Sequence, residues 1–381
     1  MSSAAGIIFS NIHDQNLPEL TGMRTIASVP FGCRYRFIDF TLSNMVNSDI
    51  YNIFLITQSN YHSLMDHIGS GKDWDLARRA GGIKILPPNI TAYAGAAGVN
   101  AAGTSTRLGA LKNAYYSISR IPEDYVVLSD CDIICNIDLN DIIDYHIAAG
   151  ADMTFAVKSM ELTREKAENS SIFFSDAEGR VTDVLAYPKN FEGKGDYCLN
   201  IIVVNKTYLM QMVLDAIAHN YTSMTKDIIS KNVKSANYRV YKYDGFFGEV
   251  ASFEDYFSLS MKIINDTEAR DSLFSVKNRP VYTKVRNSAP AFYAASSDVS
   301  NSLVADGCHI YGKVENSILF RGVKVGRGAV VKNSILMQDT VIGENASLNC
   351  VVSDKNAVVR DNTVLSGVPH LPYYIMKSKM V

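Results

Sequence analysis

Asn301-Ser302-Leu303-Val304, Asn316-Ser317-Ile318-Leu319, Asn333-Ser334-Ile335-Leu336 and Asn349-Cys350-Val351-Val352 are four near-copies of one phrase, starting 15, 17 and 16 residues apart. Between them apolar or small residues return about every six positions, at Val323, Ala329, Ile335 and Val341, until the count slips at Ser347. A short repeat of this kind predicts a parallel β-helix with three faces per coil. One coil cannot bury its own inner face, so stacked coils must share one interior. A sandwich of hairpins is the weaker alternative, because the spacing is even and no Asn-Gly turn interrupts it.

Upstream of Arg279-Pro280 the texture is different. Short β-branched runs alternate with longer amphipathic ones from Gly6 to about Asp266. Ile7–Phe9, Asn52–Thr57, Tyr125–Asp130 and Met153–Val157 read as strands of a mostly parallel sheet. Helical stretches lie near Asp39, near Ala110 and from Leu139 to a stop at Gly150. This is the grammar of an open α/β sheet, whose ligands sit beyond the carboxyl ends of the strands. The expected division is an α/β domain over 1–270 and a left-handed β-helix over 271–381.

A chain of 381 residues that is 47% hydrophobic suits two domains with a full core in each. Thirty-seven basic against 39 acidic residues leave a formal charge of -2, so no basic field favours nucleic acid or an anionic membrane. The opening MSSAAGIIFS lacks the basic flank of a signal peptide, and no run of eighteen apolar residues follows. The six cysteines, scattered from Cys33 to Cys350, show no disulfide framework and only Cys131 and Cys135 come close together. Buried thiols in a soluble, cytoplasmic protein are expected.

The segment VPFGCRYRFIDFTLSN at Val29–Asn44, followed by Asn47-Ser48 and a strand ending at Gln58, resembles the N-terminal region of ADP-glucose pyrophosphorylases, the bacterial glucose-1-phosphate adenylyltransferases. VLSDCDIICNIDL, TKDII at Thr225–Ile229 and YDGFFGEVASFEDYF at Tyr243–Phe257 extend the similarity along the chain. The resemblance implies a nucleotidyltransferase α/β domain joined to a left-handed β-helix. It also implies transfer of the adenylyl group of ATP to glucose 1-phosphate with release of pyrophosphate. Such chemistry asks the protein to position the groups and to neutralise charge with Mg2+ and cationic side chains.

Those charges are largely missing here. Where active members have a glycine-rich loop that lets backbone N–H groups approach the triphosphate, this chain reads Ser10 to Thr21 without a glycine. Aligned on Leu17 and Leu20-Thr21, the family's phosphate-clamping arginine becomes Asn16, while Asp14 and Glu19 add negative charge. The lysine of the RAKP segment becomes Ile26, with Lys72 or Lys112 as conceivable substitutes, and Arg24 survives. The sugar-phosphate lysine becomes Tyr187, and a hydroxyl-bearing hexose segment becomes Cys198-Leu199-Asn200. The segment Gly103 to Arg107 has lost the acid of its family counterpart.

For metal, the resemblance places Asp132, or Asp130 on a shifted alignment, and Glu249 on the family's two carboxylate positions, and oxygen ligands of this type suit Mg2+. The plainer reading makes Asp130 and Asp132 turn-capping residues at a strand end. Arg24 and Lys226 remain candidates for a substrate or effector phosphate, against vestigial or surface roles.

An intact scaffold with degenerate charge positions resembles the regulatory, GlgD-type subunits of the family. The expectation is a chain inactive or very weak alone, acting in glycogen synthesis. It would pair in a hetero-tetramer with a catalytic homologue that supplies the Mg2+ site, and would respond to a sugar-phosphate or nucleotide effector. The alternatives are a slow adenylyltransferase using Asp132 and Glu249, a hexapeptide acyltransferase with His309 as its base, and an assembly scaffold that binds nothing.

Overall fold

In a computed structural model, which describes residues 3–87 and 106–381, the chain forms two compact units. One comprises the chain up to Ile12 together with Thr41–Gly245, and the other His13–Phe40 together with Phe246–Val381. The division therefore does not follow a single cut after residue 270. The family-like motif is divided between the two: Val29–Phe40 belongs to the same unit as the C-terminal coils, and Thr41–Asn44 to the other.

The first unit is built on a nine-stranded sheet. Ala4–Phe9 lies between Asn52–Ile56 and Tyr125–Asp130, parallel to both, and Gly82–Leu86 continues the parallel set. On the other side, the long strand Gly193–Asn205 runs antiparallel to Tyr125–Asp130 and to Met153–Leu162. Fully buried Ile7, Val126 and Val127 show why the central runs are continuously apolar: helices cover both faces of a parallel sheet. Helices Phe37–Asn47, Arg107–Ser119 and Leu139–Ala148 fall where the amphipathic stretches are. The last stops at Gly150, whose φ of 54° a side chain would resist.

In the second unit, fifteen short strands form three five-stranded parallel sheets. One face runs Phe292–Tyr293, His309–Ile310, Lys324–Val325, Val341–Ile342 and Val358–Val359. The interior is apolar side chains stacked coil on coil, such as Val325, Ile342 and Val359. Inward positions follow the order Val325, Val331, Leu336, Ile342 and Leu348, stepping six, five, six and six residues. One corner is a residue short of the hexapeptide count, which is why the count slips: Ile342, not Val341, is the buried residue. The register Lys332↔Asn349 and Ile335↔Val352 likewise sets Cys350, not Asn349, opposite Asn333.

That short corner explains the repeated asparagine. Asn301, Asn316, Asn333 and Cys350 have φ values of 41°, 48°, 46° and 51°. This left-handed conformation is penalised for most residues but tolerated by asparagine. Each carboxamide also donates to the next coil: Asn301 to Asn316 at 3.0 Å, Asn316 to Asn333 at 2.7 Å, Asn333 to Asn349 at 2.9 Å. Alongside, the Ser302, Ser317 and Ser334 hydroxyls accept N–H bonds from Ser317, Ser334 and Val351.

Within the same unit, an aromatic cluster anchors the early segment. Phe31 meets Phe37 and Phe40 edge-on, and Tyr35 stacks on Phe274 at 5.1 Å. The Tyr256 hydroxyl donates to the Pro30 carbonyl at 2.8 Å.

The asparagine ladder yields a stability test by urea unfolding. Asn333→Gly keeps the backbone angle but removes two side-chain bonds, each worth about 1 kcal/mol net. Asn333→Ala adds the left-handed penalty of roughly 1 kcal/mol and is expected to be the less stable of the two. An alanine variant as stable as the glycine variant would show that the corner angle is not limiting.

Candidate functional site

At the carboxyl end of Tyr125–Asp130, where open α/β sheets hold ligands, the first unit gathers a set of polar side chains. Asp130 ends the strand and Asp132 follows, both buried. The helix Arg107–Ser119 starts here, its first turn capped by the Thr106 hydroxyl, which accepts the Gly109 N–H at 3.1 Å. Its first residue reaches inward. Arg107 Nε donates to both Asp130 carboxylate oxygens at 3.0 and 2.9 Å, and Nη2 bonds Asp130 Oδ2 as well.

Arg107 is only 9% exposed and Asp130 3%. Burial works against the guanidinium charge, but Asp130 and then Tyr187 outweigh it, so the group stays protonated well beyond its ordinary range. Arg107 Nη1 also donates to the Tyr187 hydroxyl at 3.4 Å. Tyr187 itself sits at φ 52°, a costly angle for an aromatic residue, held immediately before Pro188.

The strand Gly193–Asn205 contributes the opposite wall. Its pairing with Met153–Leu162 is interrupted between Cys198 and Ile202, where Asn200 adopts φ 57°. Asn200 Nδ2 donates to Asp132 Oδ2 at 3.3 Å. Burial pushes the Cys198 thiol up to about 11, so it is a neutral wall residue at physiological pH. Asp132, Tyr187 and Cys198 thus lie around Arg107, which stands among them in a role that its sequence position did not suggest. No local signal links Arg107 to Asp130; only the fold makes them neighbours.

The glycine-free loop is held by its own side chains. In the first unit, Asn11 donates to the Ser59 carbonyl at 3.1 Å and accepts the Gln58 N–H at 2.9 Å. In the second unit, Asp14 Oδ1 accepts the Ile26 N–H at 2.7 Å, and the Thr21 hydroxyl donates to the Asp14 carbonyl. Ile26 is buried, whereas Asn16 is exposed at the end of a single turn, Asp14–Asn16.

Arg24 is no free phosphate ligand. It is 2% exposed, and its Nη2 donates to both Asp354 oxygens at 2.7 Å. Asp354 also accepts from the Tyr374 hydroxyl at 3.3 Å. Beside this pair, burial first and then the Arg36 and Arg24 guanidiniums push the Lys355 ammonium down to about 7. Lys355, absent from the sequence-level candidates, is the most perturbed of these cations.

The remaining positions are less convergent. Lys226 is exposed in the first unit, on the π-helical turn Met224–Ile229. Lys112 is committed to the Tyr221 carbonyl. Glu249 ends the strand Phe247–Glu249 of the second unit. His309 is exposed against Phe292. Gly103 to Ser105 lie outside the described residues. All six cysteines are buried and none is in a disulfide. Among the described residues, no helix is long and apolar enough to cross a membrane.

Residues 15–266 match the nucleotidyl transferase family, and residues 291–369 match the GlmU-like C-terminal hexapeptide family. Among similar proteins, a glucose-1-phosphate adenylyltransferase of Thermosipho africanus is 34% identical over 87% of this chain and 78% of its own length. The counterpart in Thermotoga maritima is 32% identical over 87% of this chain and 77% of its own. The glycogen biosynthesis protein GlgD of Bacillus subtilis is 33% identical over 98% of this chain and 95% of its own. With a nucleotidyltransferase sheet, stacked hexapeptide coils and relatives of this extent, the chain belongs to the glucose-1-phosphate adenylyltransferase family.

Proposed function

We propose that this chain is a regulatory, essentially non-catalytic subunit of a glucose-1-phosphate adenylyltransferase that works in glycogen biosynthesis by pairing with a catalytic homologue. The observation that carries the reading is the fate of the polyphosphate loop. Asp14, a carboxylate, is bonded to the backbone of Ile26, the residue standing where the family keeps a phosphate-binding lysine. A triphosphate laid along this segment meets negative charge and no side-chain cation at Asn16 or Ile26. Cations on a transferring phosphoryl group are worth about 10³ to 10⁵ in rate, so the loss accounts for inactivity without any change of fold.

Similarity to GlgD over nearly the whole length supports the same role. The second unit offers a site for regulation. Arg36, Arg24 and Lys377 all act on Lys355, with Asp354 as counter-charge, and a phosphorylated sugar or nucleotide would relieve that repulsion. Arg24 would answer such an effector only by exchanging Asp354 for it.

The direct test measures ADP-glucose formation by this chain, by a catalytic homologue and by the mixture. The chain alone should be silent, and the mixture should differ from the homologue in rate or in its response to sugar phosphates. Brisk synthesis by the isolated chain would sink the proposal.

Restoring the two loop cations with Asn16→Arg and Ile26→Lys should leave turnover far below that of an intact adenylyltransferase, because Tyr187 and Cys198 still line the sugar side. Pyrophosphate release at near-catalytic rates from that double variant would show that the loop alone was limiting.

The cationic cluster predicts a pH effect. Lys355 is charged below about 7 and largely neutral above it, so fructose 1,6-bisphosphate should bind more tightly as pH falls from 8 to 6.5. Lys355→Met should flatten that dependence in calorimetric titrations. An unchanged slope would remove Lys355 from the site.

A further inference from the structure

The family's chemistry calls for a divalent cation held by carboxylates, and in the first unit the carboxylate that ends the strand Tyr125–Asp130 is already engaged by a cation of the chain's own. Both Asp130 oxygens accept from Arg107, so this carboxylate has a monovalent, five-donor cation already in its grip. Asp132 accepts from the Asn200 amide and lies within the electrostatic reach of the same guanidinium. A hydrated divalent ion demands several oxygen ligands in near-octahedral array, and here a hydrogen-bond donor and a fixed positive charge stand in the way. The Arg107 side chain is buried with Asp130, Tyr187 and Cys198 around it, so it is part of the packed interior and not a mobile surface group.

We infer that Arg107 is a built-in replacement for the divalent ion: its guanidinium, gripped by Asp130 and reaching the Tyr187 hydroxyl, closes the pocket beside Asp132 and keeps metal out. The inference rests on the regulatory reading and deepens it, because it assigns a physical cause to the silence of the sugar-side pocket that is separate from the loss of loop cations. The unit then folds and holds its pocket shape without metal.

The test uses the purified full chain without its partner and Mn2+ as the probe, followed by electron paramagnetic resonance. The parent chain should show no saturable Mn2+ binding that depends on Asp132, and its melting temperature should be indifferent to EDTA. Arg107→Met frees the carboxylates, so it should gain saturable binding that Asp132→Asn abolishes, and Mn2+ should raise its melting temperature. Because this variant leaves Asp130 buried without its arginine, Arg107→Met with Asp130→Asn provides a neutral, better-folding version, which should bind Mn2+ through Asp132 more weakly but measurably. Absence of any gain in both folded variants would overturn the inference, as would Asp132-dependent binding by the parent chain. Parent binding without ADP-glucose formation would refute the replacement by Arg107 and leave the regulatory reading standing. Parent turnover would refute the regulatory reading itself.

Discussion

A guanidinium buried in a protein interior must have a carboxylate beside it, and this requirement governs both units of the chain. Arg107 with Asp130 sits at the heart of the first, and Arg24 with Asp354 in the second. Removing one partner of such a pair typically costs about 3 to 5 kcal/mol, because the other charge is stranded away from water. The pairs are therefore not available to be opened cheaply by a ligand. Arg24, which a linear reading counts as a phosphate handle, is a structural element of the second unit, as Arg107 is of the first.

The β-helix obeys a constraint of another kind. Coils of 17 residues close only if one corner is shorter than the others, and the shorter corner needs a left-handed residue. Asparagine meets that need and turns it to use, since its carboxamide hands a hydrogen bond to the next coil. A rigid stack of this sort, with the aromatic cluster of Phe31, Phe37 and Phe40 packed on helix residues of its own unit, is a scaffold whose survival does not depend on catalysis. Such a stack is compatible with the residues found at Asn16 and Ile26, because its packing does not call on them for a charge.

Much of this was legible in the residue order. Strand Tyr125–Asp130 and the helix ending before Gly150 follow from local periodicity, because burial on both faces or on one stripe leaves its mark within a few residues. The repeat announced the β-helix, since each coil must place the same residue types at the same corners. The reading of Asn16, Ile26, Tyr187 and Cys198 as departures from the family pattern rests on the resemblance of short segments alone. The coil register was not legible at its fourth turn, where Asn349 carries the pattern but Cys350 takes the corner: a one-residue offset changes no composition, only pairing.

What the sequence by itself determined was the class of fold and the stacking of coils, both of which are properties of neighbours along the chain. Only the tertiary structure decided that Arg107 belongs to Asp130, that Arg24 belongs to Asp354, and that Lys355 is driven towards neutrality by burial and by two arginines. The reason is that electrostatic energy depends on distance in space and on burial, and the partners are separated by 23 residues in one pair and 330 in the other.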